Sequence, residues 1–122
     1  MFNISNNGII TITRGDYFSL PLFMNQGTEL KPLRYILDDK SQVYVGVMEA
    51  NQPFETALIR KKFTNADLND KGDINIEFFP EDTQCLIPGK YYYQIKLNKY
   101  NAEKDKYEVH TVVQKTQFFI EE

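Results

Sequence analysis

The sequence predicts an all-β protein, an antiparallel β-sandwich of about seven short strands. Several short segments alternate apolar and polar residues with a period of two, which is typical of strands with one buried face. Turn-forming residues separate these segments, and no long segment shows the 3.6-residue period of a helix. With 122 residues, 42% of them hydrophobic, the chain is expected to form a single domain over residues 1–122.

The clearest pattern lies in residues 72–98, which predict a strand, a short helical turn, a tight turn and a second strand. Pro80 lacks an N–H, so it should end the first strand and open the helical turn. Pro88 and Gly89 have the chemistry of a type II turn, which needs φ > 0 at its third position. The predicted inward residues of the two strands are Ile74, Ile76, Phe78, Tyr91, Tyr93, Ile95 and Leu97.

The remaining segments predict further strands, which should be bounded by turns. We expect extended structure at about residues 8–13, 17–24, 34–37, 42–50, 55–64 and 107–120, a loop at 25–33, and one capped helical turn at 64–70. Pro21 requires an edge position or a bulge because it cannot donate a hydrogen bond to a neighbouring strand. The last strand is expected to be bulged near Lys115. Arg60, Lys61 and Lys62 are predicted to be mostly solvated.

The spacing of Leu86, Pro88, Gly89 and Tyr91 places a tyrosine near the start of a strand that follows a crossover between sheets. This resembles the tyrosine corner of immunoglobulin-like sandwiches, in which the hydroxyl bonds to backbone a few residues upstream. We therefore expect Tyr91 to be buried with its hydroxyl on a backbone group. The sandwich is expected to be immunoglobulin-like, although the cysteine pair and tryptophan of antibody domains are absent.

The composition argues against several classes of partner. The net charge is -3 and the cations are scattered, so no nucleic-acid-binding face is expected. No apolar run approaches the roughly 20 residues that span a bilayer, so no membrane association is expected. The N-terminus lacks the features of a signal peptide, and Cys85 is the only cysteine, which fits synthesis in a cytoplasm.

No set of residues with catalytic or metal-binding spacing is visible, so we expect neither enzyme activity nor a cofactor. His110 and Cys85 are single and complete no triad or zinc site. Residues 67–78 have part of the rhythm of a calcium loop, but Lys71 stands at a ligand position, so a polar turn is expected, with a weak cation site as the alternative. The integrin-like tripeptide at residues 14–16 is interpreted as a glycine turn.

Aromatic residues are abundant, with eight tyrosines and nine phenylalanines. Tyr17, Tyr44, Phe79 and Tyr92 fall on strand faces opposite the predicted core. Exposed aromatics at this density indicate a contact surface for protein or sugar. The alternative, equally open, is that these rings pack under loops or against a neighbouring strand.

Three segments carry a resemblance to a known family. They are Ile-Thr-Arg-Gly-Asp-x-Phe-x-Leu at 12–20, Pro-Glu-Asp-Thr-x-x-Leu-x-Pro-Gly-Lys-Tyr-x-Tyr-x-Ile at 80–95, and Lys-Thr-x-Phe-x-Ile at 115–120. Over nearly its whole length the chain is similar to the immunoglobulin-like N-terminal domain of baseplate upper proteins from phages and prophages of Gram-positive bacteria. The resemblance implies a structural module that docks into the tail baseplate and carries no catalytic residues. Family members continue toward receptor-binding proteins, whereas this chain ends at Glu122 and is expected to lack that extension.

The resulting expectation is a prophage-encoded virion structural module that assembles with other tail or baseplate proteins. The alternative function is a carbohydrate-binding or adhesive β-sandwich that uses exposed tyrosines at the host cell surface. Without its partners the domain is expected to be a monomer or a weak symmetric oligomer.

Overall fold

The computed structural model describes residues 3–4, 8–22, 24–27 and 32–122, and these residues form mostly strands. The strands are β1 (Asn3–Ile4), β2 (Ile10–Thr13), β3 (Phe18–Leu22), β4 (Met24–Gly27), β5 (Pro32–Tyr35), β6 (Gln42–Met48), β7 (Ile59–Phe63), β8 (Ile74–Phe78), β9 (Gly89–Asn101) and β10 (Lys106–Glu121). One short helix, α1 (Pro80–Gln84), and two 3-10 turns, Phe54–Thr56 and Asn65–Asp67, complete the regular structure of this part of the chain. The predicted all-β class is therefore confirmed.

The strands form one large sheet and two small ones. The large sheet has six strands in the order β1-β2-β10-β9-β6-β7, and its neighbours are antiparallel except for the parallel pair β2–β10. The strand β3 pairs with β8, and β4 pairs with β5. The two longest strands of the large sheet, β9 with 13 residues and β10 with 16, form a hairpin with the longest register of any strand pair in it.

The core lies between one face of the large sheet and the β3–β8 pair. Phe18 and Phe78 are paired across the small sheet, with ring centroids 5.8 Å apart. The Phe78 ring also contacts Phe118 of β10, with a centroid distance of 5.6 Å, so aromatic contacts join the two sheets. All of the predicted inward residues of β8 and β9 are buried: Ile74, Ile76, Phe78, Tyr91, Tyr93, Ile95 and Leu97.

The tyrosine corner is present as predicted. Tyr91 is only 7% exposed, and its hydroxyl donates a hydrogen bond to the carbonyl oxygen of Ile87 at 2.6 Å. The strand β8 belongs to the small pair and β9 to the large sheet, so the chain crosses between sheets immediately before this tyrosine. The partly buried Leu86 packs against the core just upstream of Ile87.

The predicted type II turn at Pro88 and Gly89 is wrong. Gly89 is the first residue of β9, pairs with Ile120 of β10, and has φ of 157°. A type II turn requires φ near about +80° at this position. Pairing with β10 begins at Gly89 and holds its backbone extended, so the long-range contact overrides the local turn preference.

Other predictions are confirmed with adjusted limits. Pro80 opens α1, and β3 has β8 as its single partner among the described strands, so Pro21 is exposed on an edge strand. The bulge in the last strand appears as shifts in pairing register between Thr111 and Val113 and between Val113 and Thr116. The capped turn near 64–70 is the 3-10 turn Asn65–Asp67, whose Asp67 carboxylate accepts the Thr64 N–H.

Three predicted boundaries are wrong. The strand expected over 55–64 is limited to β7, because residues Phe54–Thr56 form a 3-10 turn. The strand expected over 17–24 divides into β3 and β4, which join different sheets. The two ends of the loop expected at 25–33 instead belong to the strands β4 and β5, which pair with each other. Residues 28–31 lie outside the described residues.

Removing the corner hydroxyl should destabilise the fold. Tyr91→Phe leaves the Ile87 carbonyl without its donor in a partly buried site, and we expect a loss of about 1–3 kcal/mol in the free energy of unfolding. Urea denaturation measures this loss, with Tyr92→Phe on the opposite face of β9 as the matched control. An unchanged midpoint for Tyr91→Phe would show that the hydrogen bond does not stabilise the crossover.

The burial of Tyr93 predicts that the fold loses stability at alkaline pH. Its hydroxyl donates to the Gly8 carbonyl at 2.6 Å, and burial raises the pKa of Tyr93 above the ordinary value of 10.0. The neutral phenol therefore stabilises the fold fully below the unfolded pKa, and this contribution is lost as pH rises through the higher folded pKa. Urea titrations across this range should show a smaller alkaline loss for Tyr93→Phe than for wild type or for Tyr107→Phe, an exposed control. An identical alkaline loss in all three proteins would contradict this assignment.

Candidate interaction surface

The four aromatic residues predicted to form a contact surface lie outside the core, but they differ in exposure. Tyr17 is 50% exposed and Phe79 is 42% exposed, whereas Tyr44 and Tyr92 are partly buried. The structure divides them into two pairs on different sheets.

Tyr17 and Phe79 lie side by side at one end of the β3–β8 pair. Each is one residue outside the buried Phe18–Phe78 pair, so strand alternation turns both rings away from the core. Their ring centroids are 5.6 Å apart with an angle of 54° between the planes. The Tyr17 hydroxyl donates a hydrogen bond to Glu77 Oε2 at 2.7 Å, and this bond raises the pKa of Tyr17.

A charged pair borders these two rings. Lys61 Nζ lies 2.6 Å from Asp82 Oδ2 and 5.6 Å from the centroid of the Phe79 ring. The same carboxylate oxygen accepts the backbone N–H of Phe79 at 2.7 Å, so Asp82 of α1 contacts both Lys61 and the backbone beside the Phe79 ring. We call Tyr17, Lys61, Glu77, Phe79 and Asp82 the aromatic patch.

Sequence reasoning placed Lys61 wrongly. It was expected to be mostly solvated, yet its side chain is only 19% exposed. Lys61 is opposite the inward-facing Val45 of β6 and shares one face of β7 with Ile59 and Phe63. It therefore lies on the inward side of β7. The apolar residues at 59 and 63 carry the parity signal that could have identified this orientation.

Tyr44 and Tyr92 lie on the outer face of the large sheet. Tyr44 of β6 is opposite Lys96, and Tyr92 of β9 is opposite Met48. Gly46 lies between these positions, and a Cβ there would meet the Phe54 ring at 2.8 Å, so Phe54 rests directly on the sheet. This part of the outer face is therefore covered by the segment that follows β6.

Lys115 holds that covering segment in place. Its Nζ donates to the carbonyl oxygens of Ala50 at 3.2 Å and Gln52 at 3.1 Å. The prediction that aromatics are exposed thus applies to Tyr17 and Phe79, while the alternative of packing under a loop describes the neighbourhood of Tyr44 better.

The segments with motif-like sequences form turns. Asn69 Oδ1 accepts the N–H groups of Lys71 at 2.9 Å and Asp73 at 3.1 Å, as in a polar turn. In the tripeptide at 14–16, Gly15 has φ of 82° and donates its N–H to Thr83 Oγ1 at 2.9 Å. That tripeptide therefore attaches a turn to α1.

In the described part of the chain, no group of three or more His, Cys, Asp and Glu side chains could hold a metal ion. His110 Nε2 lies 3.2 Å from Glu108 Oε1, and the pKa of Glu108 is lowered, first by a hydrogen bond from Asn101 and then by His110. A groove of about 360 Å³ beside this pair is lined mainly by Met24, Tyr35, Leu97, Lys99, His110, Thr111 and Val112.

Comparison of the chain with models of known protein families, with characterised proteins and with solved structures gives no match. Within the described residues, no helix has the length and apolar character needed to cross a bilayer.

The Lys61–Asp82 pair should contribute measurably to stability. Lys61→Met keeps an apolar stem near the rings but leaves a partly buried carboxylate without its cation, so we expect a loss of about 1–2 kcal/mol in unfolding free energy. Lys62→Met, on the exposed side of β7, is the matched control. Chemical denaturation that gave equal losses for both variants would contradict a specific role for the pair.

Proposed function

We propose that the chain is a prophage-encoded virion structural module that binds other tail or baseplate proteins through the aromatic patch. The observation that carries the proposal is the exposure of Tyr17 and Phe79 on the outer side of a fully packed aromatic core. We further propose that the two packed layers form an immunoglobulin-like sandwich, which the Tyr91–Ile87 hydrogen bond supports.

The positions of the three segments that resemble baseplate upper proteins support this reading. Residues 12–20 and 115–120 meet where Ile12 pairs with Ile120 in the parallel β2–β10 contact. Residues 80–95 join both, since Thr83 accepts the Gly15 N–H and Tyr91 pairs with Phe118. The resembling residues therefore form one continuous structural unit, as expected of residues that specify a fold rather than a reaction.

The aromatic patch has the chemistry of a protein-binding surface. Aromatic side chains supply much of the binding energy in protein interfaces, and here they are bordered by Glu77 and by the Lys61–Asp82 pair. Because the Tyr17 hydroxyl is already held by Glu77, less side-chain entropy would be lost on binding. A flat contact of this kind needs no pocket.

The geometry favours a protein partner over a glycan. A carbohydrate-binding sandwich with exposed tyrosines would be expected to gather them on one concave face, whereas Tyr17 precedes β3 of the small sheet and Tyr44 and Tyr92 lie on the large sheet. The 54° angle between the Tyr17 and Phe79 rings also provides no common flat platform. The adhesive function stays the second candidate, and the partner-recovery experiment described next distinguishes it from protein binding.

The test is recovery of partners on the immobilised protein from a lysate of an induced lysogen that encodes the chain. Wild type should retain identified tail or baseplate proteins, and Tyr17→Ala/Phe79→Ala should lose them with no change in thermal midpoint, because both rings are exposed. The double variant Tyr44→Ala/Tyr92→Ala is the matched control for loss of aromatic area.

Two results would overturn the proposal. One is recovery of wall polysaccharide without any virion protein, which would favour the adhesive function. The other is undiminished recovery of tail proteins by Tyr17→Ala/Phe79→Ala, which would remove the aromatic patch from the contact.

A further inference from the structure

Most of one edge of β10 is unpaired among the described strands. On one side β10 pairs with β9 from Lys106 to Ile120. On the other side β2 pairs only with residues 118–121. Residues 106–117 therefore have no strand partner on this side among the described strands, and an edge of this kind is a template for an additional strand.

The regular part of this edge, residues 106–111, carries charges of both signs, unlike the β7 edge of the large sheet. At that edge, β7 carries Arg60, Lys61 and Lys62 in succession, and such charges oppose pairing with a second copy of the same strand. The open part of β10 instead exposes Tyr107 at 52% and Val109 at 66%. Exposed apolar side chains beside free backbone groups favour pairing.

The regular part of the edge is short and well defined. From Lys106 to Thr111 the register with β9 is unbroken, and the two bulges begin only after Thr111. A straight added strand can therefore follow β10 over residues 106–111, and the bulged segment beyond it turns the edge away.

We propose that two copies of the chain pair antiparallel through this edge, with a two-fold axis at Val109. In this register Val109 lies beside Val109 of the second copy, Glu108 beside His110, and Tyr107 beside Thr111. Each contact occurs twice because the interface is isologous. Alternation places the apolar contacts on one face and both Glu108–His110 pairs on the other.

The sequence of the edge is complementary to itself in this register. Glu108 and His110 are already within 3.2 Å in one chain, so the second copy adds a further acceptor to each imidazole. Lys106 falls opposite Val112, in the first bulge and just beyond the regular segment, rather than opposite another cation. The β9–β10 turn of the second copy then lies beside Val113. It therefore does not collide with β2, whose pairing with β10 begins at Phe118.

The proposal goes beyond the function proposed above and does not depend on it. The aromatic patch lies at one end of the β3–β8 pair and includes residues of α1 and β7, whereas this contact uses β10 alone. Loss of tail-protein recovery by the patch variant leaves the β10 pairing intact, and a failure of the β10 pairing leaves the patch intact.

The register is tested by cysteine cross-linking in a Cys85→Ser background. Directly opposed residues of antiparallel strands have Cα atoms about 4.5–5.5 Å apart, which is within the range of a disulfide. Oxidised Val109→Cys should therefore form a covalent dimer on a non-reducing gel. Thr111→Cys is the matched control, because the two Thr111 residues would be roughly 13 Å apart along the strands.

Sedimentation of the protein provides the second readout. Wild type should show a mass that rises toward the dimer with concentration, and Val109→Lys should weaken association by at least about tenfold because it places two cations side by side at the axis. The thermal midpoint of dilute Val109→Lys should match wild type, since Val109 is exposed.

Three outcomes would overturn the proposal. They are a wild-type chain that stays monomeric at all concentrations, cross-linking of Thr111→Cys as efficient as that of Val109→Cys, and association that Val109→Lys leaves unchanged. A monomer whose binding to a different protein is abolished by Val109→Lys would assign the edge to that protein and would equally reject the second copy.

Discussion

The contact between Phe78 and Phe118 is the interaction on which the rest of the structure depends. Phe118 lies where β10 pairs with both β2 and β9, and Phe78 is the last residue of β8. Their rings, 5.6 Å apart, join the large sheet to the small one. Loss of such a buried ring costs about 3–5 kcal/mol in typical cores, a large part of the stability of a domain of this size.

The same contact determines where the exposed aromatic rings lie. Because Phe78 and Phe18 point inward, the residues just outside them, Phe79 and Tyr17, must point outward. Asp82 then receives both the Phe79 N–H and Lys61 Nζ, so the first turn of α1 fixes the patch from one side. The candidate binding surface is therefore a direct consequence of core packing.

The length of β10 produces the second candidate contact surface, which is the edge of its N-terminal part. Its C-terminal part is paired on both sides and belongs to the core, whereas its N-terminal part has β9 as its one partner within the described strands. Two bulges separate these parts. One part of β10 is therefore fixed in the core and the other lies at an edge of the sheet. This edge and the aromatic patch are built from different elements, so a mutation can alter one without altering the other.

The sequence by itself determined the features that depend on local chemistry. Period-two alternation identified the buried faces of β8 and β9, the missing N–H of Pro21 required an edge, and Pro80 located α1. The spacing around Tyr91 was sufficient to predict its hydrogen bond, because donor and acceptor are only four residues apart. In each case the physical cause lies within a few residues of the feature.

Only the tertiary structure decided the features that depend on distant partners. Gly89 is extended because it pairs with Ile120, and the partner of the inward Lys61, Asp82, comes from another element. The four aromatic candidates divide into two pairs because β3 and β8 join a different sheet from β6 and β9. The parallel β2–β10 pairing covers only residues 118–121 of the β10 edge among the strands that the structure describes. No local pattern encodes this pairing, because strand partners are chosen by the packing of the whole core.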